Sequence, residues 1–321
     1  MAGLSHWPMH APETGRPAKA GDDVRNPLDA RRCTVQLSTG QLYLDAVASP
    51  ATSLLGHDLP AMPTLEALNA DQWISSLQPG YACLTATQSF SAAVEFATKV
   101  ALLAAGGDRR VVEVNAFEGE PAAGDDFLVV HENETLARAG RWFASAAWRR
   151  PPQLVVIGEA IALGRPFGAV LARDDLSERF RSVKSEEIQS ADSETFRRVA
   201  AAIQTVESDG LLQHGSELGD YLMGRLDAVR SVCPEIESIK RNGLSFRITF
   251  APPLSPSQIR RRMCERGVLS GVDESGCLAI DPPLVLRIAE ADVITGALRG
   301  AILDLPMVSA ASCCGACETD P

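Results

Sequence analysis

The sequence predicts an α/β fold: a mixed or parallel sheet with flanking helices, followed by a smaller C-terminal α+β region. Three observations carry this expectation. Residues 127–130 (Phe-Leu-Val-Val) and 154–157 (Leu-Val-Val-Ile) are short continuous apolar runs, the pattern of strands buried on both faces. A helical stripe of Phe90, Ala93, Val94, Ala97 and Val100 precedes them, which gives the interleaving of helix and strand that defines an α/β layer. After residue 190 the order changes to a helix pair and then one cleanly alternating strand, 244–250.

Taken in order, residues 27–60 read as paired short strands leading into a loop. Thr34-Val35-Gln36-Leu37 alternates, Ser38-Thr39-Gly40 supplies a turn, and Leu42-Tyr43-Leu44 resumes the strand. A helix over 89–105 is stopped by Gly106-Gly107. Strands follow at 111–114, 127–130, 154–157 and 169–172. Helices are expected at 193–208 and 211–229, the second with Leu218, Leu222 and Leu226 at spacing four. A short strand at 237–240 precedes the turn signal Asn242-Gly243. Ser255-Pro256-Ser257-Gln258 is a strong helix start, with a capping Ser and Pro at the first position, and that helix runs to Gly267. Asp281-Pro282-Pro283-Leu284 and a helix over about 289–303 close the fold. There is no internal repeat. The expected organisation is a flexible arm (1–26), a first α/β region (27–190), a small C-terminal α+β domain (191–307) and a flexible Cys-rich tail (308–321).

The 321 residues, 45% hydrophobic and 22% charged, suffice for a sizeable core. The net charge of −11 argues against nonspecific binding to nucleic acid or anionic membrane. No run approaches the roughly 20 apolar residues of a membrane span. The arm has no apolar signal-peptide core, so a cytoplasmic protein is expected. Of eight cysteines, Cys33, Cys83, Cys233, Cys264 and Cys277 are scattered, as reduced thiols are. Cys313, Cys314 and Cys317 crowd the C-terminus, and Cys314-Gly315-Ala316-Cys317 has a spacing that can chelate soft metal or form a small disulfide. One pair is too few ligands for a closed zinc site. Incidental cysteines in an unstructured tail, metal or redox chemistry, and a thiol-bearing docking peptide all stay open.

Several stretches, in order, resemble class III pyridoxal-phosphate (PLP) aminotransferases. Leu42-Tyr43-Leu44-Asp45 followed by Gly56-His57-Asp58-Leu59-Pro60 is similar to the family's Y-L-D…G-H-x-x-P. Val130-His131-Glu132-Asn133-Glu134-Thr135-Leu136-Ala137-Arg138-Ala139-Gly140 partly matches D-E-V-Q-T-G-x-G-R-T-G, and residues 153–170 are similar to the segment around G-K-A-x-G-G-G-x-P-x-G-A. The resemblance covers roughly 30–305 and includes a large internal deletion after Ala116-Phe117-Glu118-Gly119, which is similar to the start of F-E-G-x-x-H-G. It implies a truncated fold-type-I PLP-transferase architecture.

The resemblance also implies site residues, and this sequence departs from them. The Schiff-base lysine position is Glu159, and a carboxylate cannot form an imine with the cofactor aldehyde. The Asp that pairs with the ring nitrogen is His131, whose neutral imidazole supplies no counter-charge. The arginine for the substrate carboxylate, in L-R-x-x-P-P-L, is Ala279. A vestigial phosphate site is expected at Thr87 and Gln88, at a helix N-terminus, with Thr195 matching the family's T-F pair. The expectation is therefore a class III aminotransferase-like pseudoenzyme without catalytic residues, a dimer with itself or with an active homologue, acting as a regulatory or scaffolding partner. No cofactor is expected, with non-covalent PLP left open. Two alternatives remain: an active PLP aminotransferase using an unusual or partner-supplied lysine, and a metal- or thiol-handling protein acting through Cys313, Cys314 and Cys317.

Overall fold

The computed structural model describes residues 29–36, 40–47, 54–63, 70–107, 109–122, 124–180, 183 and 189–304. The expected arm and the Cys-rich tail, with Cys313, Cys314 and Cys317, lie outside the described residues.

A five-stranded sheet, in the order β4-β8-β7-β6-β5, forms the first layer. Its strands are β4 (Tyr81–Thr87), β5 (Val111–Asn115), β6 (Phe127–His131), β7 (Leu154–Ile157) and β8 (Gly168–Arg173). β5, β6 and β7 are parallel, and β8 runs against both β7 and β4. β7 is buried along its whole length, and β6 at all but its last residue, which is why both read as continuous apolar runs. The sequence pattern does not predict β4. Its middle is only half-buried and carries a register shift between Cys83 and Thr85, so it shows no clean alternation.

Helix α2 (Phe90–Ala105) packs on one face through Ala93, Phe96, Ala97 and Val100. The Ser89 hydroxyl accepts from the N–H of Ala92 at 3.1 Å, and Gly106 ends the helix at φ 64°. The helix comes so close that a Cβ at Gly168 would collide with the Ser89 carbonyl and sit 2.6 Å from the Ala93 methyl. Two short helices, α1 (Ala70–Ser75) and α3 (Asp174–Phe180), flank the layer and are likewise not predicted by the sequence pattern.

The C-terminal part contains α4 (Ser193–Ser208), α5 (Leu211–Val232), β9 (Ile236–Asn242), β10 (Ser245–Phe250), α6 (Pro256–Glu265), the two-residue strands β11 (Val268–Leu269) and β12 (Gly271–Val272), β13 (Leu278–Ile280) and α7 (Ile288–Leu303). The second sheet has the order β12-β13-β10-β9. β9 is longer than the expected 237–240 because it pairs with β10 along nearly its whole length.

The N-terminal strands β1 (Asp29–Arg31), β2 (Thr34–Gln36) and β3 (Leu42–Asp45) form a third sheet that β11 completes in parallel with β3. The chain's first strands therefore sit with its C-terminal part. The Asp45 carboxylate meets the ring of His57 at 2.9 Å, and Gly56 (φ 72°) packs so tightly under Arg32 that any Cβ would strike the Arg32 carbonyl. These are the residues of the Y-L-D…G-H segment.

Candidate active-site region

In an open α/β sheet a ligand cleft forms outside the carboxyl ends of the strands. Here those ends present Thr87 to Phe90 after β4, Ala116 and Phe117 after β5, His131 to Glu134 from β6, and Gly158 and Glu159 after β7.

Glu159 opens a turn in which its carbonyl accepts from the N–H groups of Ala162 (3.0 Å) and Gly164 (3.2 Å). Its side chain is half-buried and has no hydrogen bond or ion pair among the described residues. Before it, Gly158 has no room for a side chain unless its neighbours shift. A Cβ there would lie 2.6 Å from Asn133 Oδ1 and 2.8 Å from the Phe90 ring. Phe90 and Asn133 thus press on the backbone beside Glu159.

His131 lies edge-on to Phe90, with ring centroids 5.6 Å apart, and its Nε2 is 3.5 Å from Glu113 Oε2. Burial pulls the imidazole below its ordinary value, and Glu113 only partly opposes this. The Thr98 hydroxyl holds the other Glu113 oxygen at 2.5 Å.

The expected phosphate residues are occupied internally. Thr87 is fully buried, and its hydroxyl lies within donating range of the carbonyls of Ser89 (2.8 Å) and Gly168 (3.2 Å). The Gln88 N–H donates to the Gln189 carbonyl at 3.1 Å. Thr195 is buried in the first turn of α4. Its N–H donates to the capping Asp192 carboxylate at 2.7 Å, and its hydroxyl accepts from Arg165 Nε at 3.2 Å. A bridge between Thr87 and Ser190 brings these two stretches together.

Ala279 is buried on β13, and its partner across β10 is Arg247. Arg247 is 5% exposed and touches three carboxylates: Asp281 and Glu134, each at 2.8 Å, and Asp273 at 3.0 Å. Its guanidinium also lies 4.6 Å from the centre of the Phe117 ring. Burial alone would lower its pKa, but Asp281 above all, then Glu134 and Asp273, outweigh burial and hold it up. Sequence reasoning missed this hub. The available signal was an arginine between Phe246 and Ile248 in a buried strand, a charge that has to find carboxylates. Arg138 is fully buried nearby. Its Nη1 donates to the Glu134 carbonyl at 3.1 Å, and its Nε and Nη2 have no hydrogen-bond partner among the described residues. Glu132 is also fully buried, and its carboxylate accepts from the Thr135 hydroxyl (2.5 Å) and from the N–H groups of Ala144 (3.1 Å) and Ser145 (2.7 Å). That role is structural.

Of the lysines in the described residues, Lys99 is exposed on α2 and Lys240 is exposed on β9, neither beside Gly158. No group of His, Cys, Asp and Glu side chains among the described residues could hold a metal. A cavity of about 250 Å³, lined by Tyr81, Phe143, Pro151, Pro152 and Arg173 among others, lies at the opposite end of the sheet.

The layered sheet, the helix pair and the second sheet are those of fold-type-I aminotransferases. The ornithine aminotransferase of Plasmodium yoelii superposes with a TM-score of 0.73 at 14% identity, over 86% of this chain and 93% of that one. The N-acetylornithine aminotransferase of Stenotrophomonas maltophilia gives 0.70 at 16% identity, over 85% and 94%. The class III aminotransferase family model matches residues 123–302, more than half of the chain, and the chain belongs to that family. The acetylornithine aminotransferase of Methanothermobacter thermautotrophicus is 27% identical over 182 residues, 56% of this chain and 46% of the relative. The alanine/serine racemase of Pyrococcus horikoshii is 26% identical over 186 residues, 55% and 39%. The match thus spans less than half the length of these curated relatives. Family members bind PLP, so the family lends no support to the expectation of a chain without a cofactor.

Proposed function

We propose that this chain is a class III aminotransferase-like protein that does not transaminate by itself and serves as a regulatory or scaffolding partner of an active aminotransferase-type enzyme. The observation that carries this reading is Glu159, in the turn after β7 where the family resemblance puts the Schiff-base lysine. A carboxylate offers no nitrogen for an imine. Three other features support the reading. Burial disfavours the charged form of His131, at the position the resemblance gives to the ring-nitrogen partner. Ala279 replaces the carboxylate-binding arginine. The nearest guanidinium across the strand, Arg247, is already engaged by three carboxylates of the chain itself.

The residues present do not fit a covalently held PLP. Phe90 and Asn133 crowd the backbone beside Glu159, and the Thr87 and Thr195 hydroxyls already have internal partners. Non-covalent PLP, or an amine supplied by a partner, is the alternative; it draws on the family's PLP binding. Class III aminotransferases are typically dimers, and association with itself or with an active homologue is part of the proposal.

The test is spectroscopic. The purified chain is mixed with PLP, alone and with an active class III aminotransferase, and then reduced with borohydride. The expected result is no absorption band fixed to this polypeptide. A fixed band, mapped by peptide mass, would overturn the reading.

A further inference from the structure

At the end of the five-stranded sheet away from Glu159, the start of β4, the start of β7 and the end of β8 enclose the cavity of about 250 Å³. Its floor is buried and almost wholly carbon: the Tyr81 and Phe143 rings, Pro152 and Val155. The polar groups at this depth already have partners. The Tyr81 hydroxyl donates to the Pro152 carbonyl at 2.6 Å. Ser145 gives its N–H (2.7 Å) and its hydroxyl to the buried Glu132 carboxylate. These bonds tie the walls in place, so the cavity is preformed. The rim is different. Pro79, Gly80 and Pro151 are exposed there, and Arg173 is the only charged side chain among the described residues that line the cavity. Arg173 Nε and Nη2 donate to the Asp175 carboxylate at 2.6 and 2.7 Å, which fixes the plane of the guanidinium. Arg173 Nη1 and the Gly80 N–H have no hydrogen-bond partner among the described residues.

We propose that this cavity binds a small aromatic monocarboxylate, with its ring against the floor and its carboxylate at Arg173. Size and chemistry both lead there. An apolar cavity of about 150 Å³ accepts a benzene ring, so this one has room for a ring and a short side chain. A floor whose polar groups are all engaged disfavours a polar inner end, which would leave its hydrogen bonds with water unreplaced. The rim offers two unused donors, and no acidic side chain among the described residues lines the cavity. A carboxylate satisfies that arrangement, whereas a ligand cation would meet Arg173 and no lining counter-charge. Asp175 shares the guanidinium charge, so the expected affinity is modest, with a Kd of about 1 mM. The site is separate from the strand ends around Glu159, and the proposal stands whether or not the chain transaminates.

The chain has three tyrosines, and of Tyr43, Tyr81 and Tyr221 only Tyr81 lines the cavity. Titrating the full chain, made with ring-labelled tyrosine, with phenylacetate and following it by NMR therefore reports binding and its place together. Tyr81→Phe assigns the resonance. The Tyr81 ring signal should move saturably while those of Tyr43 and Tyr221 stay still. Phenethyl alcohol keeps the ring and drops the charge, and it should bind about fivefold more weakly. Arg173→Met should remove the acid's advantage over the alcohol. A Tyr81 signal that does not move at about ten times the expected Kd overturns the proposal. So does equal movement of all three tyrosines. Equal affinity of the wild type for acid and alcohol overturns it as well, and that comparison needs no variant, so it decides the matter even if Arg173→Met fails to fold.

Discussion

The strand ends around Glu159 and the C-terminal sheet around Arg247 handle charge in opposite ways. Glu159 is half-buried and has no partner among the described residues, whereas Arg247 is buried and has three. The difference teaches where the fold depends on its ions. An isolated charge at the mouth of a cleft is dispensable to folding because water solvates it. A buried cation among carboxylates is not, because its removal leaves those carboxylates uncompensated.

The sharpest way to break this comparison is to remove each charge in turn. Arg247→Met should cost about 3–5 kcal/mol of stability, read by urea unfolding, because Asp281 loses its buried counter-charge and Glu134 and Asp273 lose theirs in part. A loss under about 1 kcal/mol would show the hub to be solvated. Next comes crowding at the strand ends. Gly158→Ala should cost about 1–3 kcal/mol, and Asn133→Ala in the same chain should recover part of it, since the new methyl points at the Asn133 amide. No recovery would mean that Phe90 alone sets the limit.

A smaller effect is expected from His131. Its folded pKa lies below the ordinary 6.5, so above that value its neutral form costs nothing. As the pH falls below 6.5, the unfolded chain takes up the proton first and stability declines. His131→Gln should flatten the stability profile between about pH 6.5 and pH 5, above the range of ordinary carboxylates. The same slope in both proteins would assign the decline to other groups. The smallest effect belongs to Glu159→Gln, expected within about 0.5 kcal/mol of wild type. A larger loss would reveal a partner for Glu159.

How much the sequence disclosed follows from the distance over which each feature is determined. β6, β7 and α2 were legible because burial on both faces, Ser89 and Gly106 leave local signatures. So did Glu159, inside a contiguous motif. β4 was not, since its half-exposed middle and register shift erase the alternation. The Arg247 hub was not, because its partners are 113 and 34 residues away, at Glu134 and Asp281. Nor was the crowding of Gly158, which needs Phe90 from one helix and Asn133 from another strand end. The Thr87 hydroxyl reads in the sequence as free for a phosphate, and only the fold shows the carbonyl oxygens beside it.

The sheet in which β3 and β11 lie side by side joins segments more than 220 residues apart in sequence (Leu44 beside Val268), and the Arg32 guanidinium reaches the Val285 carbonyl 253 residues away. A growing polypeptide on the ribosome would hold β1, β2 and β3 without their last neighbour until β11 (Val268–Leu269) has emerged. Such long-range closure slows folding and leaves exposed strands waiting in the meantime. Synthesis of this protein should accordingly benefit from chaperones that shelter its first strands until β11 arrives.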